Sequence, residues 1–450
     1  MKKIIVIIAC AICCGVGVSA QPAYTLQQLK DSARHNNIAV HTARLGIESA
    51  QHQRKEAFTK FFPNVSGTGL WFNANKSMAK MDIDPSGMIT PELGAVLAAS
   101  FPPEALLAMQ SPFAVSMMKK GVLAGVTALQ PVFAGGQIIN GNRLAKVGEE
   151  VSHLQLQLSE NEVDLQTEKY YWQLVSLQEK MKTIAAVDTL LAGIHKDVDL
   201  AVRAGLAMRN DLLQVQLRQN DIESQRVKLQ NGISIVQLLL SQYCGLNGEW
   251  TIESVKMNVD GEDLAASQPP FLTSQLSSLP EYQLLQKQVE ASKLQHKMEI
   301  GKNLPSLALG VGYNYHNLLG NDRTFGMVFA TVSVPISDWW GGSHAVKRRK
   351  IERLRAEEQL SDNAQLLCIR MQNAYNAVGE ARQQLQIAQR SIEQAEENLR
   401  LNRNYYRAGT SKMSDLLEAQ LLYQQTLDRH TEAYADLQLK ILEYKQSIGQ

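Results

Sequence analysis

With 450 residues, 45% of them apolar and 20% charged, the chain is long enough for two ordinary domains or for one elongated unit. A formal net charge of +1 removes the electrostatic ground for expecting nucleic acid as a partner. Five cysteines, three of them in the first twenty residues, are too few for a disulfide framework in the remainder.

Residues 1–20 read as a secretory signal peptide. Lys2 and Lys3 form a basic start, an apolar run extends from Ile4 to Val18, and Val18-Ser19-Ala20 offers a small-residue cleavage site. The letters IIAC ending at Cys10 loosely match a lipoprotein box, although the apolar run before them is very short. No later segment reaches the ~20 apolar residues of a membrane-spanning helix, so a mature chain that crosses a membrane must do so with strands.

The remainder reads as one pattern written twice. The first copy, 21–243, holds a helix over about 25–60 and a strand over about 62–73. A long proline-containing loop follows, then a strand over about 121–133, a helix over 137–203, a tip at 203–211 and a helix to about 243. An irregular Gly-, Pro- and Ser-containing segment spans 244–280. The second copy, 281–450, repeats the order: helix to about 302, strands about 305–315 and 325–336 around Gly320-Asn321-Asp322, helix 343–407, tip 407–415, helix 412–448. No proline occurs between Pro131 and Pro269 or after Pro335, and these two blocks carry sustained heptad seams. One runs Leu177, Met181, Ile184, Val187, Leu191, Ile194, Val198. The other runs from Leu367 through Met371, Val378, Leu385 and Ile392 to Leu399, with alanines between that admit close helix approach. At 1.5 Å per residue the incoming helices are ~100 Å long and the outgoing ones ~50 Å.

The tips carry the duplication most clearly. RAGLAMRNDLLQVQ (203–216) and RAGTSKMSDLLEAQ (407–420) share seven of fourteen letters at an offset of 204. Gly205 and Gly409 stand where a helix ends in a left-handed residue, and Asn210-Asp211 and Ser414-Asp415 supply capping and first-turn residues for the next helix.

The strands alternate. Leu307, Leu309, Val311, Tyr313 and Tyr315 take one face, and the small residues Ser306, Gly310 and Gly312 the other. Four strands cannot close a barrel, and an open edge is not tolerated in hydrocarbon. Two copies would give eight strands and a filled barrel; three would give twelve and room for a lumen. Trp71, Tyr313, Tyr315, Trp339 and Trp340 lie near strand ends as membrane-interface aromatics do, with ordinary core packing as the plainer alternative.

Other signals weigh little. Asp82-Ile83-Asp84-Pro85-Ser86-Gly87 begins like a calcium loop, but its twelfth position is Leu93. Met78, Met81, Met88, Met109, Met117 and Met118 are better read as apolar filler than as Cu(I) ligands. The KRRKIERLR run (347–355) is better explained as a solvated helix face than as a phosphate contact, and Cys244 and Cys368 as packed thiols. With no H-E-x-x-H, P-loop or G-x-S-x-G, neither catalysis, a cofactor nor a metal is expected.

QPVFAGG (130–136), VPISDWWGG (334–342) and the two RAG…DLL tips resemble the TolC family of outer-membrane efflux channels, over essentially the whole chain after residue 20. The resemblance implies a mostly α fold with a small β part: long antiparallel hairpins form an α-barrel in the periplasm. Four strands per chain join a shared twelve-stranded barrel in the outer membrane of a Gram-negative bacterium. It also implies a homotrimer set in outer-membrane lipid, with a periplasmic adaptor protein on its tips and an inner-membrane pump as energy source. By position, Asp415 and Glu418 match two acidic residues that ring the periplasmic entrance, with Glu in place of Asp at the second. Tyr406 and Asp211 match a pair that ties the tips shut, while Ser411 stands where an arginine is often found. Arg203, Gly205, Leu206, Arg407, Gly409 and Thr410 match adaptor-docking positions. The function so implied is the exit duct of a tripartite efflux pump for drugs or small toxic compounds. The outlet of a type I protein secretion system is the alternative within the class, and a soluble periplasmic coiled-coil adaptor the alternative outside it.

Overall fold

A computed structural model describes residues 22–449 except 88–89, 103, 106–108, 110, 254–275 and 319–321. The signal peptide, Cys10, most of the irregular 244–280 segment and Gly320-Asn321 lie outside the described residues. In chain order the elements are β1 (Ala23–Tyr24), α1 (Leu26–Asn36), α2 (Ile38–Thr59), β2 (Asn64–Asn73), β3 (Ala79–Ile83), α3 (Pro91–Ser100), β4 (Phe113–Met117) and β5 (Lys120–Ala134). There follow α4 (Gln137–Arg203), α5 (Arg209–Cys244), β6 (Thr251–Ile252), α6 (Pro280–Lys302), β7 (Ser306–His316), β8 (Arg323–Ser333), α7 (Asp338–Arg407) and α8 (Met413–Ser447). They divide into a helical unit (up to Ala50, Gly148–Val289, Arg355 onward) and a strand-bearing unit (Gln51–Val147, Glu290–Leu354).

In the helical unit the heptad seams are the core. Ile184, Val187, Leu191, Ile194 and Val198 of α4 are buried, as are Met371, Val378, Ala381, Leu385 and Ala395 of α7. Burying each large aliphatic side chain stabilises by roughly 1.5–3 kcal/mol. One cluster gathers Leu29 and Ala33 of α1, Leu174 and Val175 of α4, Leu240 and Cys244 of α5 and Tyr434 of α8. A second joins the tip-proximal parts of α4 and α5 to Met413 and Leu416 of α8.

The first helix differs from the single 25–60 segment the sequence suggests. Asn37 is extended (φ −69°, ψ 134°) and separates α1 from α2. Its side-chain oxygen accepts from the Ala39 N–H at 2.9 Å and its amide donates to the Tyr243 carbonyl at 3.3 Å. Apolar periodicity runs through the break, and asparagine's competition for backbone groups decides it. α1 itself starts with a capping box, the Gln28 N–H donating to Thr25 Oγ1 and the Thr25 N–H to Gln28 Oε1.

In the strand-bearing unit β2, β5, β7 and β8 form one antiparallel sheet in the order β2-β5-β7-β8. β5 is bulged between Pro131 and Phe133, where proline offers no N–H to the ladder. β8 ends at Ser333 and α7 starts at Asp338, so Trp339 and Trp340 belong to the first turn of a helix. The segment between β2 and β5 is not a plain loop. β3 and β4 pair as an antiparallel hairpin, with Asp82 of the calcium-like run inside β3 opposite Ala114.

Candidate functional site

The two hairpin tips are built by the same hydrogen bonds. α4 ends as the Leu206 N–H donates to the Ala201 carbonyl at 2.8 Å and the Gly205 N–H to the Val202 carbonyl at 3.0 Å. At the second tip the Thr410 N–H donates to the Tyr405 carbonyl and the Gly409 N–H to the Tyr406 carbonyl, both at 3.0 Å. This closing pattern needs a left-handed residue, and Gly205 (φ 74°) and Gly409 (φ 72°) supply it. Each following helix is then capped by an acid in its first turn. Asp211 Oδ2 accepts from the Met208 N–H at 3.3 Å, and Asp415 Oδ2 from the Lys412 N–H at 3.2 Å.

Asp415 is the more heavily held of the two. The Ser411 and Ser414 hydroxyls also donate to it, each at 3.1 Å. The Lys412 N–H first, then these hydroxyls, hold its carboxyl below the ordinary carboxylate range. Glu418, one turn on, is exposed and makes no hydrogen bond or ion pair among the described residues. Tyr406 packs with the Met413 and Leu416 cluster; burial, then the Asp211 charge, raises its phenol. The fold thus brings Tyr406 and Asp211 close within one chain, although no hydrogen bond joins them among the described residues.

The expected docking positions Arg203, Gly205, Leu206, Arg407, Gly409 and Thr410 are all exposed. Arg203 pairs with Asp199 one turn back at 2.8 Å, whereas Arg407 reaches across to Asp197 of the first hairpin at 3.2 Å. Leu206 and Met208 are 85% and 74% exposed. The first tip is therefore apolar where the second carries Thr410 and Lys412.

A polar layer behind the tips escapes sequence reading. Arg218 of α5 donates to Gln420 Oε1 at 3.0 Å and Gln424 Oε1 at 2.8 Å on α8, and Gln424 donates to Gln225 at 2.9 Å. Gln420 is fully buried. Glutamines four apart hint at a shared face, but no periodicity names a partner two hundred residues away.

The sheet separates two chemistries. Ladder register puts Val65, Gly67, Gly69 and Trp71 of β2 on one face with Val122, Ala124, Val126 and Ala128 of β5. Leu309, Val311, Tyr313 and Tyr315 of β7 and Gly326, Val328, Ala330 and Val332 of β8 continue that face. Its one charged residue is Lys120, opposite Asn73 at the end of the β2–β5 ladder. The opposite face carries Asn64, Ser66, Thr68, Thr127, Ser306, Asn314, Thr331 and Ser333. It is less open than its small residues suggest. The Phe329 ring lies over Gly310, where an added Cβ would collide with it, and Met327 lies beside Gly312. No helix among the described residues is long and apolar enough to cross a membrane.

The sequence profile of the family described as outer membrane efflux protein matches residues 274–450, which include the second strand pair and the second tip. The matched stretch is the second copy of the pattern, which is similar to that family. The fold agrees over nearly the whole chain. The outer membrane channel CmeC of Campylobacter jejuni superimposes with a TM-score of 0.74 at 16% identity, covering 94% of this chain and 85% of its own. CusC gives 0.77 at 13% identity, covering 94% and 92%. The outer membrane protein VceC of Vibrio cholerae gives 0.71 at 12% identity, covering 94% and 96%. At these identities the likeness is one of fold. No curated protein matches the chain.

Proposed function

We propose that this chain is one third of a passive outer-membrane duct that serves a tripartite efflux pump as the exit for drugs or small toxic compounds. The observation that carries the reading is the sheet: one face apolar but for Lys120 at a strand end, the other bearing the Asn, Ser and Thr side chains, and two unpaired edges at β2 and β8. Such a sheet is stable in hydrocarbon only when copies close it, and three copies of four strands make a twelve-stranded barrel with a lumen.

Cargo enters at the tips. Asp415 and Glu418, repeated in three copies, crowd carboxylates at the periplasmic entrance, favour cations and press the helices apart once restraints are released. Tyr406 and Asp211 belong to the restraint. Exposed Arg203, Gly205, Leu206, Arg407, Gly409 and Thr410 receive a periplasmic adaptor that connects the duct to an inner-membrane pump. The chain itself supplies a path and its partners the energy.

Deleting the gene and restoring it tests the reading. Cells without it should become sensitive to exported compounds and regain resistance on complementation, and a photo-crosslinker at Leu206 should capture an adaptor. Recovery of the protein from the soluble periplasm as a detergent-free monomer would overturn the proposal.

A further inference from the structure

The two free edges of the sheet, β2 (Asn64–Asn73) and β8 (Arg323–Ser333), can be matched to each other residue by residue. This step rests on the shared-barrel reading above and deepens it. We propose that β2 of one copy pairs antiparallel with β8 of the next in a single register, Asn64 opposite Ser333. Trp71 then faces the neighbouring copy's Gly326, and Gly69 its Val328.

Direction comes first. Every ladder in the sheet is antiparallel and the strands number four, so β8 and the next β2 run in opposite senses, as closure requires. Parity comes second. The apolar face holds odd-numbered residues of β2 and even-numbered residues of β8, and slipping by one residue would turn every side chain of one strand to the wrong face. Complete overlap of the ten residues of β2 with the eleven of β8 allows only Asn64 opposite Val332 or opposite Ser333. Only Ser333 lies on the face of Asn64.

Strand tilt agrees. A row across the sheet runs Asn64, Leu129, Gly310, Phe329. In the proposed register Phe329 meets Thr68 of the next copy, a climb of four residues per copy and twelve over three copies, equal to the number of strands. That ratio corresponds to a tilt of about 36°, within the 35–45° at which barrels close. Registers shifted by two residues keep the faces aligned but climb two or six residues per copy, giving tilts of about 20° or about 47°.

Size supplies the last match. Val328 is 81% exposed in the single chain, and a Cβ built on Gly69 meets nothing within 4 Å. Trp71 is 71% exposed, and the nearest atom to a Cβ built on Gly326 is Tyr313 Cδ2 at 3.8 Å. Each large side chain faces an opening. Beyond the ladder, exposed Val334 and Ile336 run on beside exposed Phe61 and Phe62, so the apolar seam continues past the last paired residues.

Disulfide trapping in native outer membranes tests the register, in a Cys368→Ser background where the remaining Cys244 is buried. V65C/V332C should yield a covalent ladder up to trimer on non-reducing gels. V65C/A330C and V65C/V334C, the two shifted registers, should not. Trapping by a shifted pair instead overturns this register and leaves the shared barrel standing. No trapping by any pair, with only monomer after amine crosslinking, overturns the shared barrel as well. Independently, Gly326→Leu should convert detergent-resistant trimer to monomer and Trp71→Ala should restore it; a Gly326→Leu trimer of unchanged stability overturns the pairing of these two positions.

Discussion

Asp211 and Asp415, 204 residues apart, play the same part at the two tips. Each accepts the N–H three residues before it, from Met208 and Lys412, and so starts the helix that leaves the tip. Their surroundings differ, since only Asp415 also receives the hydroxyls of Ser411 and Ser414. Asp415→Ala should speed amide exchange in the first turn of α8, whereas Asp415→Asn, which keeps an acceptor, should change it little. The pH dependence follows in sign. A carboxyl held below its unfolded value adds stability above that value, near 3.9, and loses it as pH falls through the folded one. Protection of this turn, taken relative to the intrinsic exchange rate at each pH, should stay constant from pH 7 to about 5 and fall below about 4.

If the same carboxylates ring the entrance, Asp415→Ala with Glu418→Ala should raise single-channel conductance in planar bilayers and weaken cation preference. Asp415→Asn with Glu418→Gln should weaken the preference with less change at the cap. Conductance and selectivity that stay at the wild-type values in both variants would remove the entrance role.

The Lys30–Glu168 ion pair between α1 and α4 is largely buried, and the Trp172 indole N–H also donates to Glu168 at 3.2 Å. Lys30→Met strands a buried carboxylate and should cost roughly 3–5 kcal/mol, while Lys30→Met with Glu168→Gln should recover much of it. Denaturant titration of the two variants gives the comparison.

The two cysteines outside the first twenty residues should label in sequence. Cys368 is exposed; Cys244 is buried, and burial pushes its thiol up to about 12. In native buffer a maleimide should add once, at Cys368, with the second addition only on unfolding. Because the unfolded thiol ionises near 8.5 and the folded one near 12, stability should fall as pH rises between those values. Mass spectrometry after pulsed labelling reads both effects.

The two faces of the sheet should differ in their tolerance of charge. Val311→Arg on the apolar face should cost ~2–4 kcal/mol near the bilayer midplane and lower the yield of membrane-inserted protein, while Thr331→Arg on the polar face should insert normally. Heat-modified gel mobility of outer-membrane fractions checks both.

Much of this architecture is written locally. Heptad seams such as Ile184, Val187, Leu191 name the buried face of a helix because 3.6-residue periodicity is a property of a short stretch, and the glycine tips announce themselves because few other residues adopt a left-handed turn. Alternation from Leu307 to Tyr315 likewise marks two faces without any knowledge of neighbours. Whatever joins distant segments is legible only in three dimensions. Asn37 breaks a helix by holding Tyr243; Arg218 finds Gln420 and Gln424; Arg407 crosses to Asp197; Phe329 fills the space that Gly310 leaves. Arg218 and Arg407 meet their partners only after the duplicated halves pack together, and no spacing along a chain encodes which residue lies opposite two hundred positions away. Local pattern thus sets which elements form and which of their sides are apolar, whereas packing settles which polar groups find partners and where the sheet's free edges fall.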